Sequence, residues 1–164
     1  MKVERKYEFR ISKYNPKYRE NGIFLKNEWT SFNDIGKAYD GKVLCYSEYE
    51  QIEKRYLSLI QKLCILLNTS QMQIADLEDP FSICTYVNGS TLNSIDDIAK
   101  VAKGCLREQY WCRLNSDRLS FLFGYDFYLY VCSPLDYQHM EDLVLNTGLF
   151  IEVRTDGMFS GSLW

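Results

Sequence analysis

Histidine occurs once in this chain of 164 residues, at position 139. A Cys–His nucleophile pair needs an imidazole beside a thiol, and nothing in the sequence brings His139 to one. On a helical wheel it falls away from Tyr137, Met140 and Val144, toward solvent. The six cysteines, at positions 45, 64, 84, 105, 112 and 132, never show the two-residue spacing of a zinc knuckle or redox motif. They read as small buried hydrophobes in a reducing compartment. No apolar run reaches the roughly 18 residues a transmembrane helix needs. The opening residues, Met1-Lys2-Val3-Glu4-Arg5-Lys6, contain no apolar signal region, so the expectation is a cytoplasmic protein without membrane contact. Walker and dinucleotide motifs are missing. Gly157 and Gly161 lie in the tail with no following helix to offer amides to a phosphate. Internal repeats, low-complexity segments and interdomain linkers are also absent.

What is present is a sequence dense in aromatics, 13 Tyr and 9 Phe among them. Buried Phe supplies apolar area, and Tyr supplies area with a polar tip suited to contact surfaces. The net charge of −3 is unevenly placed. Residues 1–43 carry 10 basic and 6 acidic groups, residues 44–111 carry 6 and 9, and residues 112–164 carry 3 and 7. An acidic C-terminal third argues against a nucleic-acid surface there and suits a basic partner. Asp126, Asp136, Glu141 and Asp142 are close in sequence. However, Glu141 and Asp142 are helix neighbours pointing about 100° apart, and Asp136 suits a helix first turn. The expectation is therefore no metal, no cofactor and no catalytic set.

Val3, Tyr7, Phe9 and Ile11 alternate with Glu4, Lys6, Glu8 and Arg10, the period of a half-buried antiparallel strand, with Arg5 breaking the pattern. Residues 14–30 read as a long loop with turn signals at Asn15-Pro16 and Asn21-Gly22. Ser31 or Asn33 opens a short helix ending near Gly36. A turn at Asp40-Gly41 leads to a brief strand from Lys42 to Cys45. Ser47-Glu48-Tyr49-Glu50 reads as a capping box. It opens a helix with Ile52, Tyr56, Leu59, Ile60, Leu63 and Leu67 on its apolar stripe, Glu48, Glu50 and Glu53 at its dipole end, and its stop near Asn68. Gln71 to Leu77 is short and mixed, and Phe81 to Val87 is strand-like after a turn at Asp79-Pro80. Ser94 with Asp97 caps a second helix bearing Ile95, Ile98, Val101, Ala102, Cys105 and Leu106. Tyr110–Leu114 and Leu119–Phe123 form a hairpin, and a third strand runs from Phe127 to Cys132 after a turn at Gly124-Tyr125-Asp126. Ser133 caps a third helix with Pro134 at its first position and Tyr137, Met140, Leu143 and Val144 buried. Gly148 follows its end. Leu149, Ile151 and Val153 alternate with Phe150, Glu152 and Arg154 in a last strand before Asp156-Gly157. The sum is one α+β domain over residues 1–164: an antiparallel sheet, a mixed one being left open, with about three helices packed on it.

Asp126, Tyr128 and Tyr130 share strand parity opposite Phe127, Leu129 and Val131. If the latter face the core, the former display one carboxylate and two phenols together, a protein-contact patch. If a helix covers that face, the tyrosines are core.

Four segments look familiar: Glu28-Trp29-Thr30-Ser31 through Gly36-Lys37, Tyr39-Asp40-Gly41-Lys42, Gly124-Tyr125-Asp126-Phe127-Tyr128-Leu129-Tyr130, and Gly148-Leu149-Phe150-Ile151-Glu152. They resemble small bacterial proteins encoded beside polymorphic toxins, including the immunity proteins of contact-dependent growth inhibition systems. The resemblance implies a cytoplasmic, stoichiometric inhibitor with no turnover, which binds a cognate toxin C-terminal domain and blocks its active site or substrate path. Many such toxins are nucleases with basic surfaces, which an acidic, Tyr-bearing partner would meet by charge steering and aromatic anchoring. The candidate contacts are Asp126, Tyr128, Tyr130, Asp142 and Glu152, with a monomer favoured. The competing expectations are a small regulatory or ligand-sensing domain and a carboxylate-based enzyme.

Overall fold

The computed structural model describes residue 4 and residues 6–153. The expectations for Val3, Arg5, Arg154 and the Asp156-Gly157 turn lie outside these residues. In chain order the elements are β1 (Tyr7–Ser12), β2 (Arg19–Glu20), β3 (Ile23–Phe24), β4 (Ala38–Tyr39), β5 (Lys42–Val43), α1 (Tyr46–Leu66) and β6 (Met72–Glu78). They continue with β7 (Thr91–Leu92), α2 (Ile95–Leu106), β8 (Trp111–Asn115), β9 (Ser120–Phe123), β10 (Leu129–Ser133), α3 (Tyr137–Asn146) and β11 (Phe150–Val153). Seven strands form one sheet in the order β11-β1-β10-β9-β8-β6-β7, and every neighbouring pair is antiparallel. The fold is α+β, with two further two-stranded hairpins.

Period-two alternation sorts the sheet into two unlike faces. Phe9 and Ile11, Leu129 and Val131, Phe121 and Phe123, Leu114, Met72, Ile74 and Ile151 all point one way, into one apolar core. All three α-helices insert there: α1 with Tyr49, Tyr56, Leu59, Ile60 and Leu63, α2 with Ile98, Val101, Ala102 and Cys105, α3 with Met140 and Val144. Asn21-Gly22 and Asp40-Gly41, both pairs at positive φ, close the small hairpins as two-residue turns whose twist matches the strands. Ser31 and Asp34 make a reciprocal capping box on a 3-10 turn at Phe32–Asp34. Ser94 caps α2 by accepting from the Asp97 amide. At Gly104 a Cβ would stand 2.1 Å from the Tyr110 hydroxyl, so the helix needs glycine for this ring to pack against it.

Several expectations are corrected. Residues 81–87 form no strand: the Asp79 carboxylate accepts from the Ile83 and Cys84 amides and coils the chain, Ser82 sits at φ +53, and Cys84 and Tyr86 turn inward. The edge of β6 is met instead by Gly89, Ser90 and β7, and the mixed stretch from Gln71 is itself the seven-residue strand β6. Residues 14–30 are not all loop; they hold a 3-10 turn at Pro16–Tyr18 and the β2–β3 hairpin. Helix α1 starts at Tyr46 with Cys45 as its N-cap and no side-chain cap, so Ser47 falls inside the first turn. Helix α3 starts at Tyr137, capped by Asp136; Ser133 ends β10 and its Oγ accepts from the Leu135 amide. Glu53 is not a solvated dipole partner. It is buried with its carboxylate held bidentately by Arg107 of the α2 terminus, at 2.8 and 3.0 Å, and by the Tyr49 hydroxyl at 2.7 Å.

Candidate functional site

Among the described residues no helix covers the second face of the sheet. The register lines its side chains into rows across the strands. One row runs Glu152, Arg10, Tyr130, Leu122, Arg113, Ala75. The next runs Glu8, Cys132, Ser120, Asn115, Gln73. Tyr130, Cys132, Leu122 and Tyr128 form a small apolar cluster of their own, separate from the main core. Tyr130 is buried, only 8% exposed. Its ring leans on Gly124, where a Cβ would come within 2.9 Å of it, so the missing side chain lets the phenol lie flat.

At the β11 edge two arginines share one carboxylate. Arg10 reaches Glu152 at 2.8 Å and Arg19, from β2, reaches its other oxygen at 3.3 Å. Arg19 also donates to the Tyr128 hydroxyl at 2.5 Å, and the Arg10 guanidinium stands 4.6 Å from the Tyr128 ring centroid. Tyr14 and Phe24 complete the cluster by ring contacts at 5.4 and 5.1 Å. Burial disfavours the Arg10 charge, but Glu152 outweighs it and lifts the guanidinium pKa. This face also holds unmet polar atoms: Arg10 Nε, Trp111 Nε1, Asn115 Oδ1 and Ser120 Oγ are buried with no hydrogen-bond partner among the described residues. Each such atom costs about 1–3 kcal/mol in an isolated fold.

The turn between β9 and β10 is the strained part of this site. Asp126 and Phe127 take left-handed conformations in succession, at φ +59 and +66, a geometry costly for a side chain as bulky as Phe. Two tyrosine hydroxyls hold it. Tyr14 donates to the Asp126 carbonyl and Tyr56 to the Phe127 carbonyl, each at 2.7 Å. The Phe127 ring is drawn into the core against Tyr49, Tyr56 and Trp29. Tyr125 and Asp126 are pushed outward and exposed, with the Tyr125 ring tilted against Trp111 at 5.8 Å between centroids.

The five sequence-derived candidates therefore separate. Tyr128, Tyr130 and Glu152 come together on the second face of the sheet, as strand parity predicts for the two tyrosines. Tyr130 is buried rather than displayed, and Glu152 is occupied by two arginines. Asp126 does not share the strand with them; it precedes β10 in the strained turn. Asp142 is exposed on α3, in the helical layer behind the sheet. Sequence reasoning missed Arg10, Arg19, Trp111 and Tyr125. Arg10 was legible, since alternation in β1 already put it on the polar side. Arg19 was not, because only the β2–β3 hairpin folds it back onto Glu152.

Among the described residues no three His, Cys, Asp or Glu side chains converge as metal ligands, and no helix is long and apolar enough to cross a membrane. His139 is exposed and contacts Asp136 at 2.6 Å. Cys64, Cys105, Cys112 and Cys132 are buried and all six thiols are free; burial pushes Cys64 and Cys132 up to about 11. Four cavities of about 210–320 Å³ open on the surface, and none of these four is lined by two carboxylates. The largest of them, beside α2, is lined by Thr85, Tyr86, Lys100, Lys103, Arg107 and Gln109 among others. No protein-family model, no curated protein and no solved structure matches the chain.

Proposed function

We propose that this chain is an immunity protein: a stoichiometric binder that neutralises a cognate bacterial toxin domain, of the kind encoded beside polymorphic toxins. One observation carries the reading. Among the described residues the three α-helices pack on one face of the sheet, and the other face gathers the half-buried Arg10, Arg113, Trp111 and Tyr128 around the buried Tyr130, residue types enriched where proteins bind proteins. The buried polar atoms left unpaired on that face agree with it, because a docking partner that rearranges these side chains can supply what the isolated fold lacks. The electrostatics differ from the simplest acidic-inhibitor picture. Glu152 is neutralised within the chain, so charge steering toward a basic toxin must come from other carboxylates.

The test is growth rescue. The toxin C-terminal domain from the adjacent open reading frame is expressed with and without this protein, and binding is then measured by calorimetry. Rescue with one-to-one binding is the expected result; no rescue and no binding would remove the reading. A second reading, a small ligand-sensing domain, draws on the cavity beside α2, where Lys100 and Lys103 suit an anion while Arg107 on the same wall is held by Glu53. A small molecule retained in native mass spectrometry of the purified protein would favour it.

A further inference from the structure

One end of the sheet brings together features that the rest of the surface keeps apart. The Trp111 and Tyr125 rings meet there in a tilted contact, with Tyr125 70% exposed and Phe81 66% exposed shortly beyond the end of β6. Large aromatics facing water in this way are the residues that anchor interfaces. Glu78 lies directly across from Trp111 in the β6–β8 register, Glu108 precedes Trp111 by three positions, and Asp126 follows Tyr125. None of these three carboxylates makes an ion pair among the described residues. The nearby Arg113 is engaged by Asp76 at 3.7 Å. The strained turn, held by Tyr14 and Tyr56, is what projects Tyr125 and Asp126 outward.

We infer that this end, with Trp111, Tyr125 and Phe81 edged by Glu78, Glu108 and Asp126, is a docking surface for a cationic protein surface. The inference rests on the proposed function and names the region that meets the toxin domain. Arginine or lysine side chains of the partner lie over the aromatic rings and against the carboxylates. Among the described residues no cation pairs with these three carboxylates, and Glu108 accepts only a 3.3 Å hydrogen bond from the Ser31 hydroxyl, so an incoming cation meets no ion-paired competitor there, unlike at Glu152. The Glu108 carboxyl is part of this acidic group. Burial raises its pKa, the Ser31 hydroxyl lowers it, and the nearby charges of Asp126 and Asp34 raise it again. A steering field of this kind raises the association rate and is screened by salt.

The experiment uses the full chain and two partners. The toxin domain from the adjacent reading frame is titrated into the wild type, into Tyr125→Ala, into the neutralised triple Glu78→Gln/Glu108→Gln/Asp126→Asn, and into a charge-matched control, Glu20→Gln/Asp96→Asn/Asp117→Asn. Asparagine at position 126 keeps the left-handed conformation accessible, and circular dichroism verifies that each variant is folded. The neutralised triple is expected to bind about 10- to 100-fold more weakly, with a flattened salt dependence of the association rate, while the control triple matches wild type. Toxin binding that is equal in both triples would overturn the inference and leave the proposed function standing. A wild type that does not bind the toxin would remove the proposed function. In that case a nona-arginine peptide decides the surface question by heteronuclear NMR. Shifts of the Trp111 indole and of the 124–126 amides that vanish in the neutralised triple support a cation-docking surface. Shifts that are absent, or unchanged in the triple, overturn it.

Discussion

Replacing Tyr56 by Phe removes a single oxygen from the centre of the molecule, and its cost follows from what that oxygen holds. The Tyr56 hydroxyl accepts from the Lys13 amide at 2.8 Å and donates to the Phe127 carbonyl at 2.7 Å, with the side chain wholly buried. Phenylalanine keeps the ring, including its edge-on contact with Phe127 at 4.9 Å, so packing is unchanged to first order. Two backbone groups from distant segments lose their partner in a place water does not reach. At about 1–3 kcal/mol for each buried group left unpaired, the expected loss is about 2–6 kcal/mol. For a protein of this size that lowers Tm by about 2–4 °C for each kcal/mol. The Phe127 carbonyl belongs to the left-handed pair at 126–127, so the turn should loosen as well. Urea unfolding followed by circular dichroism measures the first effect, and hydrogen exchange at the Lys13 amide and the 124–128 segment measures the second. A loss below about 0.5 kcal/mol, with the Lys13 amide as protected as in wild type, would refute the argument that this hydroxyl ties β1 to the turn.

Two further outcomes are expected. Arg107→Ala strands the Glu53 carboxylate, whose side chain is 2% exposed, and should cost about 3–5 kcal/mol; the double change Arg107→Met/Glu53→Leu should cost less, and urea melts of both settle the order. Glu108→Gln should raise thermal stability at neutral pH. Burial and like charge raise the folded-state pKa of Glu108, so the folded protein binds its proton more tightly than the unfolded chain, and wild-type stability falls as pH rises through that range. Glutamine escapes this penalty. Its advantage should vanish below the ordinary glutamate pKa of about 4.3, where both states are protonated, and thermal melts between pH 4 and 7.5 test the crossover. If the same variant binds the toxin more weakly, Glu108 is a residue kept for binding at a cost in stability.

Where local chemistry and burial pointed the same way, the elements were legible. The apolar stripe of α2 and its Ser94 cap, the glycine turns of the small hairpins, and the alternation in β1, β10 and β11 all rest on interactions within a few residues. The failures have a common physical origin. Residues 81–87 have strand-forming side chains, but the Asp79 carboxylate captures two amides and the β6 edge is taken by a later segment. Glu53 looks like a solvated helix acid until α2 carries Arg107 to it. Ser133 is a good cap that β10 uses up first.

For the candidate site the division is similar. Parity by itself placed Tyr128 and Tyr130 on the face opposite Leu129 and Val131, because side-chain direction in a strand is a property of the backbone. The α+β class followed from periodicity in the same way. Whether that face would be covered was a question of how the helices pack, and all three chose the other side. Tertiary structure also decided that Glu152 is shared by Arg10 and Arg19, and that Asp126 leaves the strand for a strained turn held by Tyr14 and Tyr56. It likewise set Trp111 beside Tyr125 among carboxylates that form no ion pair among the described residues. Each of these joins residues from distant parts of the chain. Their proximity comes from sheet order and loop closure, and neither is written in any local stretch of sequence.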